Sequence, residues 1–174
     1  MLGMIKKMNS NNDIIFKSKV SKWIAGLYLA IMIFLVIMFL GMPFVAPMTF
    51  LEKIIFVTIY FIVFLVIIFT LYRAYRLIFI ISKDRVIIGG LVKKHMIMFS
   101  DIKEVKKTPI PLGFRLFGAS LLGGRYYFPG VGNASVAMSN FNDGVMITTK
   151  NGYNFLITPM EPLRFIDSLK NQIK

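Results

Sequence analysis

Residues 24–42 read IAGLYLAIMIFLVIMFLGM and residues 54–72 read IIFVTIYFIVFLVIIFTLY, two runs of 19 residues without a single Asp, Glu, Lys, Arg or His. At about 1.5 Å per residue each spans roughly 28 Å as a helix, close to the hydrocarbon thickness of a bilayer. Both runs are rich in Ile, Val and Phe, which are weak helix formers in water. In lipid, a lone spanning segment satisfies its backbone only as a helix. Trp23 at one end, and Tyr72 and Tyr75 at the other, suit the headgroup layer. The two runs are read as transmembrane helices.

The connection between them is short. Pro43 and Pro47 are expected to stop the first helix, and Thr49-Phe-Leu-Glu52 has the spacing of a capping box that starts the second. The pair therefore reads as an antiparallel hairpin. Lys6, Lys7, Lys17, Lys19 and Lys22 precede it, Arg73, Arg76, Lys83 and Arg85 follow it, and its loop holds only Lys53. The positive-inside rule then puts both termini in the cytoplasm. A cleaved signal peptide fits poorly, because the apolar run is long and no A-x-A-like site follows it. With no ionisable group inside either span, the hairpin reads as an anchor and not as a self-sufficient transporter. Gly26 and Ala30 form a small-xxx-small pair that would let another helix approach.

Composition agrees. Of 174 residues, 56% are hydrophobic and 17% charged, against about 45–50% and about 25% in soluble domains. The absence of Cys excludes disulfides, thiolate zinc sites and cysteine nucleophiles, and a single His (His95) excludes multi-His metal sites. A balance of 21 basic to 8 acidic residues gives a net charge of +13, which calls for an acidic partner such as an anionic membrane surface.

The chain divides into a basic N-terminal segment (1–22), a hairpin (23–75, helices about 24–42 and 50–72) and a cytoplasmic domain (76–174). The domain's signals are β-rich. Leu77–Ile81 is an apolar run, readable as strand or as continued helix, and Ser82-Lys83-Asp84 turns into Arg85–Ile88. Lys94–Phe99 and Ser135–Phe141 alternate in part. Val145–Thr149 and Tyr153–Ile157 flank Asn151-Gly152, a strong hairpin signal. At the end Thr158-Pro-Met-Glu161 has capping-box spacing with Pro159 at the first helical position. Leu163, Phe165, Ile166, Leu169 and Ile173 then trace one helical face. About six or seven strands and one amphipathic helix give a membrane-anchored α+β or capped-barrel plan.

Several stretches resemble bacterial pleckstrin-homology-like (PH-like) domains: Ser82–Ile88, Ile97–Val105, Arg115-Leu-Phe-Gly118 with the glycine-punctuated stretch to Gly130, and Ile157–Leu169. Proteins of that kind commonly place such a domain directly after a transmembrane hairpin. The resemblance implies a partly open barrel of two sheets closed by the C-terminal helix, and a binding role without catalysis. Lipid-binding members hold a phosphoinositide in a basic loop between their first two strands, where this chain offers only Lys83 and Arg85.

Candidate contact residues are Lys103, Lys106, Lys107, Arg115 and Arg125, with Phe114 and Phe117, taken to bind anionic phospholipid of the inner leaflet or a membrane-protein partner. Leu112–Gly132 lacks the Lys-Ser/Thr of a phosphate loop and reads as a structural loop. Its apolar side chains are read as core over the open end of the barrel, the alternative being a surface patch. No nucleic-acid motif is present. His95 reads as an exposed strand residue. Asp101 and Glu104 are a loose pair without a nucleophile, so no catalytic residue, metal or cofactor is expected. The reading is a non-catalytic binding module, with self-protection against membrane-active peptides as one role by analogy of layout. The alternative is an accessory subunit of a larger membrane complex such as an exporter.

Overall fold

A computed structural model describes residues 13–18, 20–45, 49–89, 94–117 and 123–173; of residues 42–45 and 117 it describes the backbone only. The chain forms two units: residues 21–72, and residues 1–20 together with 73–174.

The first unit holds α1 (Lys22–Val45) and all but the last three residues of α2 (Phe50–Tyr75), both helices long and apolar enough to cross a membrane. Leu29, Phe34, Ile37, Leu40, Phe61, Ile62 and Val66 are exposed along them, unlike the core helices of a soluble protein. The two helices pack as an antiparallel hairpin through Phe39, whose ring lies 6.0 Å from Phe56 and 5.1 Å from Tyr60. The hydroxyls of Thr58 and Thr70 donate to the carbonyls of Ile54 and Ile67, so neither needs an outside partner. The Thr49–Glu52 box is formed: Glu52 Oε2 accepts from Thr49 N at 2.7 Å, and Thr49 Oγ1 accepts from Glu52 N at 3.4 Å. Pro43 does not stop α1, which continues to Val45. Proline lacks the N–H that would bond the carbonyl four residues back, a cost of one hydrogen bond, and α1 runs only two residues past it. Pro47 and the loop around it lie outside the described residues. At the other end α2 stops at Tyr75, and Ile78–Ile81 is strand.

The second unit is a β domain of two sheets. β1 (Ile14–Lys17), β2 (Ile78–Ile81), β3 (Arg85–Gly89) and β4 (Lys94–Met98) form an antiparallel sheet in that order. After a 3-10 turn at Phe99–Asp101 come β5 (Ile102–Pro109), β6 (Phe114–Phe117), β7 (Gly123–Phe128), β8 (Gly132–Ala137), β9 (Asp143–Thr149) and β10 (Asn154–Ile157). These six are ordered β5-β9-β10-β8-β7-β6, with β10 parallel to β8. Among the described residues, the barrel of six or seven strands is thus corrected to ten strands in two sheets, with no closed barrel.

β1 comes from the basic segment ahead of the hairpin, where no strand is expected. It pairs with β2 from Ile14↔Ile81 to Lys17↔Ile78. Ser18 extends the attachment: its N donates to Leu77 O at 3.1 Å, and its Oγ donates to Ala74 O at 3.0 Å. On the other side Met160 N donates to Lys17 O at 2.9 Å.

α3 (Pro162–Ile173) closes the domain. Phe165, Ile166 and Leu169 are buried as the periodicity predicts, whereas Leu163 and Ile173 are exposed. Phe165 meets Phe16 and Phe79 edge-on at 5.1 and 6.5 Å, so one helix residue binds both sides of the β1–β2 ladder. The predicted capping box at Thr158 does not form. Thr158 is buried and its Oγ1 accepts from Ser139 N at 2.8 Å, so the helix begins at Pro162, where proline's missing N–H is harmless. The main core joins Phe79, Ile81, Val86, Ile88 and Ile97 to Val105, Val145, Ile147 and Ile157. On the other face of the six-stranded sheet, Phe128, Ala134, Val136, Met146 and Leu156 make a smaller core.

Candidate lipid or partner interface

The seven candidate residues do not form one cluster. Lys103, Lys106 and Lys107 stand on β5 and Arg115 and Arg125 on β6 and β7, at opposite ends of a six-stranded order. Within β5 they diverge further. Lys106 lies opposite Met146 and Lys107 opposite Val145, so their side chains leave opposite faces. The ladder shifts between Ile102 and Glu104, which leaves Lys103 without a paired residue. Lys106 Nζ lies 3.5 Å from Glu104 Oε1, and Lys107 Nζ 2.8 Å from Asp143 Oδ2. Exposed pairs of this kind contribute about 0–1 kcal/mol, yet each places a carboxylate beside the amine that an anion would need.

The β6–β7 edge is different. Leu112, Phe114, Leu116 and Tyr127 are 95%, 71%, 56% and 45% exposed. Phe114 lies opposite Tyr127 in the ladder, and Arg125, two residues before Tyr127, shares that face. Arg115 lies opposite Tyr126, and both arginines are exposed. No carboxylate occurs between residues 110 and 142. Phe117 takes its place in β6 opposite Arg125, and its side chain lies outside the described residues, as do Gly118, Leu121 and Leu122.

Local packing explains the outward row. A Cβ on Gly113 would come within 2.2 Å of the Phe128 ring and 2.9 Å of Tyr127 O. Only glycine lets the chain press onto β7 at that point, and the residues on either side, Leu112 and Phe114, are left exposed. Tyr126 and Phe128 stack at 5.9 Å and 8° and join the smaller core. The expectation that this segment is core therefore holds for Tyr126 and Phe128 and is corrected for Leu112, Phe114, Leu116 and Tyr127. The expectation of a loop is corrected as well, since β6, β7 and β8 occupy most of it and Gly130 and Gly132, at φ of +79° and +87°, make the β7–β8 turn. Leu112, Leu116 and Tyr127 were not among the candidate contact residues. The period-two spacing of 112, 114 and 116 is the signal for Leu112 and Leu116, whereas Tyr127 joins them only through strand pairing with Phe114.

The turn between β2 and β3 offers less. Arg85 Nε and Nη2 donate to Asp84 Oδ1 and Oδ2 at 2.8 and 2.7 Å. That hydrogen bonding holds the Asp84 carboxyl below the ordinary carboxylate range and leaves Lys83 as the turn's exposed cation, in no salt bridge among the described residues. His95 is half-buried, not exposed, with its ring 6.0 Å from Phe155. Among the described residues no group of three or more His, Asp or Glu could hold a metal.

Comparison with curated proteins and with solved structures finds no match. The sequence model of the bacterial PH domain does match, over residues 77–173, more than half of the chain. PH-like domains are in general binding modules that engage lipids or proteins. The match leaves out β1 and the hairpin. From β2 through α3, this chain belongs to the bacterial PH domain family.

Proposed function

We propose that the protein is a non-catalytic binding module, anchored by the α1–α2 hairpin with both termini in the cytoplasm, whose β6–β7 edge engages anionic lipid of the inner leaflet. The observation that carries this reading is the exposed row Leu112, Phe114, Leu116 and Tyr127, accompanied by the exposed Arg115 and Arg125, in a stretch (residues 110–142) whose sequence contains no Asp or Glu. Aromatic rings and arginine stems suit the boundary between headgroups and acyl chains, and each basic residue adds about 1 kcal/mol toward an anionic surface.

The topology has independent support. β1 precedes α1 and β2 follows α2, yet they pair residue for residue. If the helices cross a membrane, both ends of the hairpin lie on one side of it, together with the domain. Removal of α1 as a signal sequence would detach a strand that the sheet uses.

The test is gentle-detergent purification of the full-length protein followed by mass spectrometry of bound lipid. Wild type is expected to retain anionic lipid that high salt removes, and Phe114→Ser with Arg125→Gln to retain several-fold less. Equal retention by both proteins contradicts the reading. A second reading, the accessory subunit, is favoured by Gly26, where an added Cβ would meet nothing within 4 Å, and by the exposed Ala30 one turn on. It predicts a stoichiometric membrane-protein partner in the same preparation. A role in self-protection predicts increased sensitivity to membrane-active peptides when the gene is removed, and unchanged sensitivity eliminates it.

A further inference from the structure

Antiparallel sheets usually bury one face and turn a polar face to water. The sheet of β1 to β4 does not. Phe16, Phe79, Ile81, Val86, Ile88 and Ile97 fill the core on its inner face. On the outer face Ile15 lies opposite Ile80, Ile80 opposite Ile87, and Ile87 opposite Met96, an unbroken apolar row across all four strands. Met96 is 63% exposed. The next row is Lys17, Ile78, Gly89 and Lys94. Ile78 lies across Gly89, where an added Cβ would meet its Cγ1 at 2.9 Å.

Charge on this face is graded from end to end. Lys17 and Lys94 are exposed at one end, and no carboxylate stands in their row. The carboxylates are at the other end, where Asp13 accepts from Ser82 Oγ at 2.7 Å and Asp84 holds Arg85. The basic end is also the end where β1 leads into α1 and α2 leads into β2. Only residues 76 and 77 separate Tyr75 from Ile78, a chain reach of about 10 Å. The headgroup layer on each side of a bilayer is about 5–7 Å thick.

We infer that the outer face of the four-stranded sheet is a docking surface for an anionic membrane. Lys17 and Lys94 meet lipid headgroups, and Ile78, Ile80, Ile87 and Met96 lie at the acyl boundary. This rests on the hairpin reading of α1 and α2 but concerns a surface separate from the β6–β7 edge. A second copy in the same membrane fits less well, because aligned faces would set Lys17 and Lys94 against their own counterparts.

Because the protein has no Cys, single cysteines report cleanly. Full-length Met96→Cys, Leu116→Cys and Asn151→Cys proteins are labelled with an environment-sensitive fluorophore and reconstituted in phosphatidylcholine–phosphatidylglycerol vesicles containing a nitroxide-bearing lipid. Asn151, in the exposed β9–β10 turn, is the reference. The Met96 label is expected to be quenched several-fold more than the Asn151 label, and Lys17→Gln with Lys94→Gln to reduce that quenching. Equal quenching at 96 and 151 overturns the inference. So does a blue-shifted Met96 label that the nitroxide lipid leaves unquenched, which would mean that protein covers the face. The Leu116 label tests the β6–β7 reading separately: quenching at 116 with none at 96 removes this inference and leaves that reading standing.

Discussion

The six-stranded sheet ends in two strands of opposite character. β5 has eight residues, carries Lys103, Lys106 and Lys107, ends at Pro109 and holds a register irregularity. β6 has four residues, is preceded by Leu112, and sets Phe114 and Leu116 around a single arginine. Charge, proline and bulges are the devices by which sheet edges avoid unwanted association. The β5 edge has all three, whereas β6 shows a register shift between Arg115 and Phe117 but keeps its apolar side chains exposed. Lysines alone therefore identify a defended edge here, and the proposed binding edge is set apart by arginine and aromatics in a stretch whose sequence has no Asp or Glu.

The comparison can be broken at several depths. Phe165→Ala removes the ring that holds Phe16 and Phe79 and should cost about 3–5 kcal/mol, read as the largest fall in unfolding temperature of the full-length protein in detergent. It abolishes both edges together. Gly113→Val drives a side chain into Phe128 and should cost about 1–3 kcal/mol. Hydrogen exchange should rise in β6 and β7 while β5 and β9 keep their protection; loss of protection throughout the sheet would show that the two edges are not independent. Phe114→Ser with Arg125→Gln should reduce lipid retention several-fold and change stability by no more than about 0.5 kcal/mol, as exposed sites do. Lys107→Gln removes the pair with Asp143 and should change stability by at most about 1 kcal/mol without altering lipid retention. A loss equal to that of the β6–β7 variant would return β5 to the interface.

The smallest effect concerns pH. Asp84 has a lowered pKa in the folded domain because Arg85 hydrogen-bonds its carboxylate. The stabilisation is therefore present above the ordinary carboxylate range and is lost as pH falls through the lowered value. Wild type and Asp84→Asn should differ slightly in unfolding temperature at neutral pH and converge in acid.

Some of this was legible before any coordinates. Two uncharged 19-residue runs permit few structures, and the Thr49–Glu52 box and the Asn151-Gly152 turn act within four residues, so both appear as read. β1 was not legible: IIFK is four residues in a basic segment, and its partner stands 67 positions along the chain (81 − 14). Thr158 had the right spacing for a cap, but its hydroxyl was taken by Ser139, a contact made across 19 positions. The candidate residues are dispersed for the same reason. Lys107 and Arg115 are eight residues apart in sequence, and strand order, which no local pattern encodes, sends them to opposite edges.

The β1–β2 ladder also has a consequence for biogenesis. Ile14 leaves the ribosome 67 residues before Ile81, about 3–13 s at ordinary elongation rates. If α1 and α2 cross a membrane, the first strand waits without its β2 partner while both helices enter the bilayer. A hairpin inserted with its ends on opposite sides leaves β1 and β2 in different compartments, and the sheet never assembles. If the helices span a membrane, a completed β1–β2 ladder therefore reports that the two ends of the hairpin reached the same compartment.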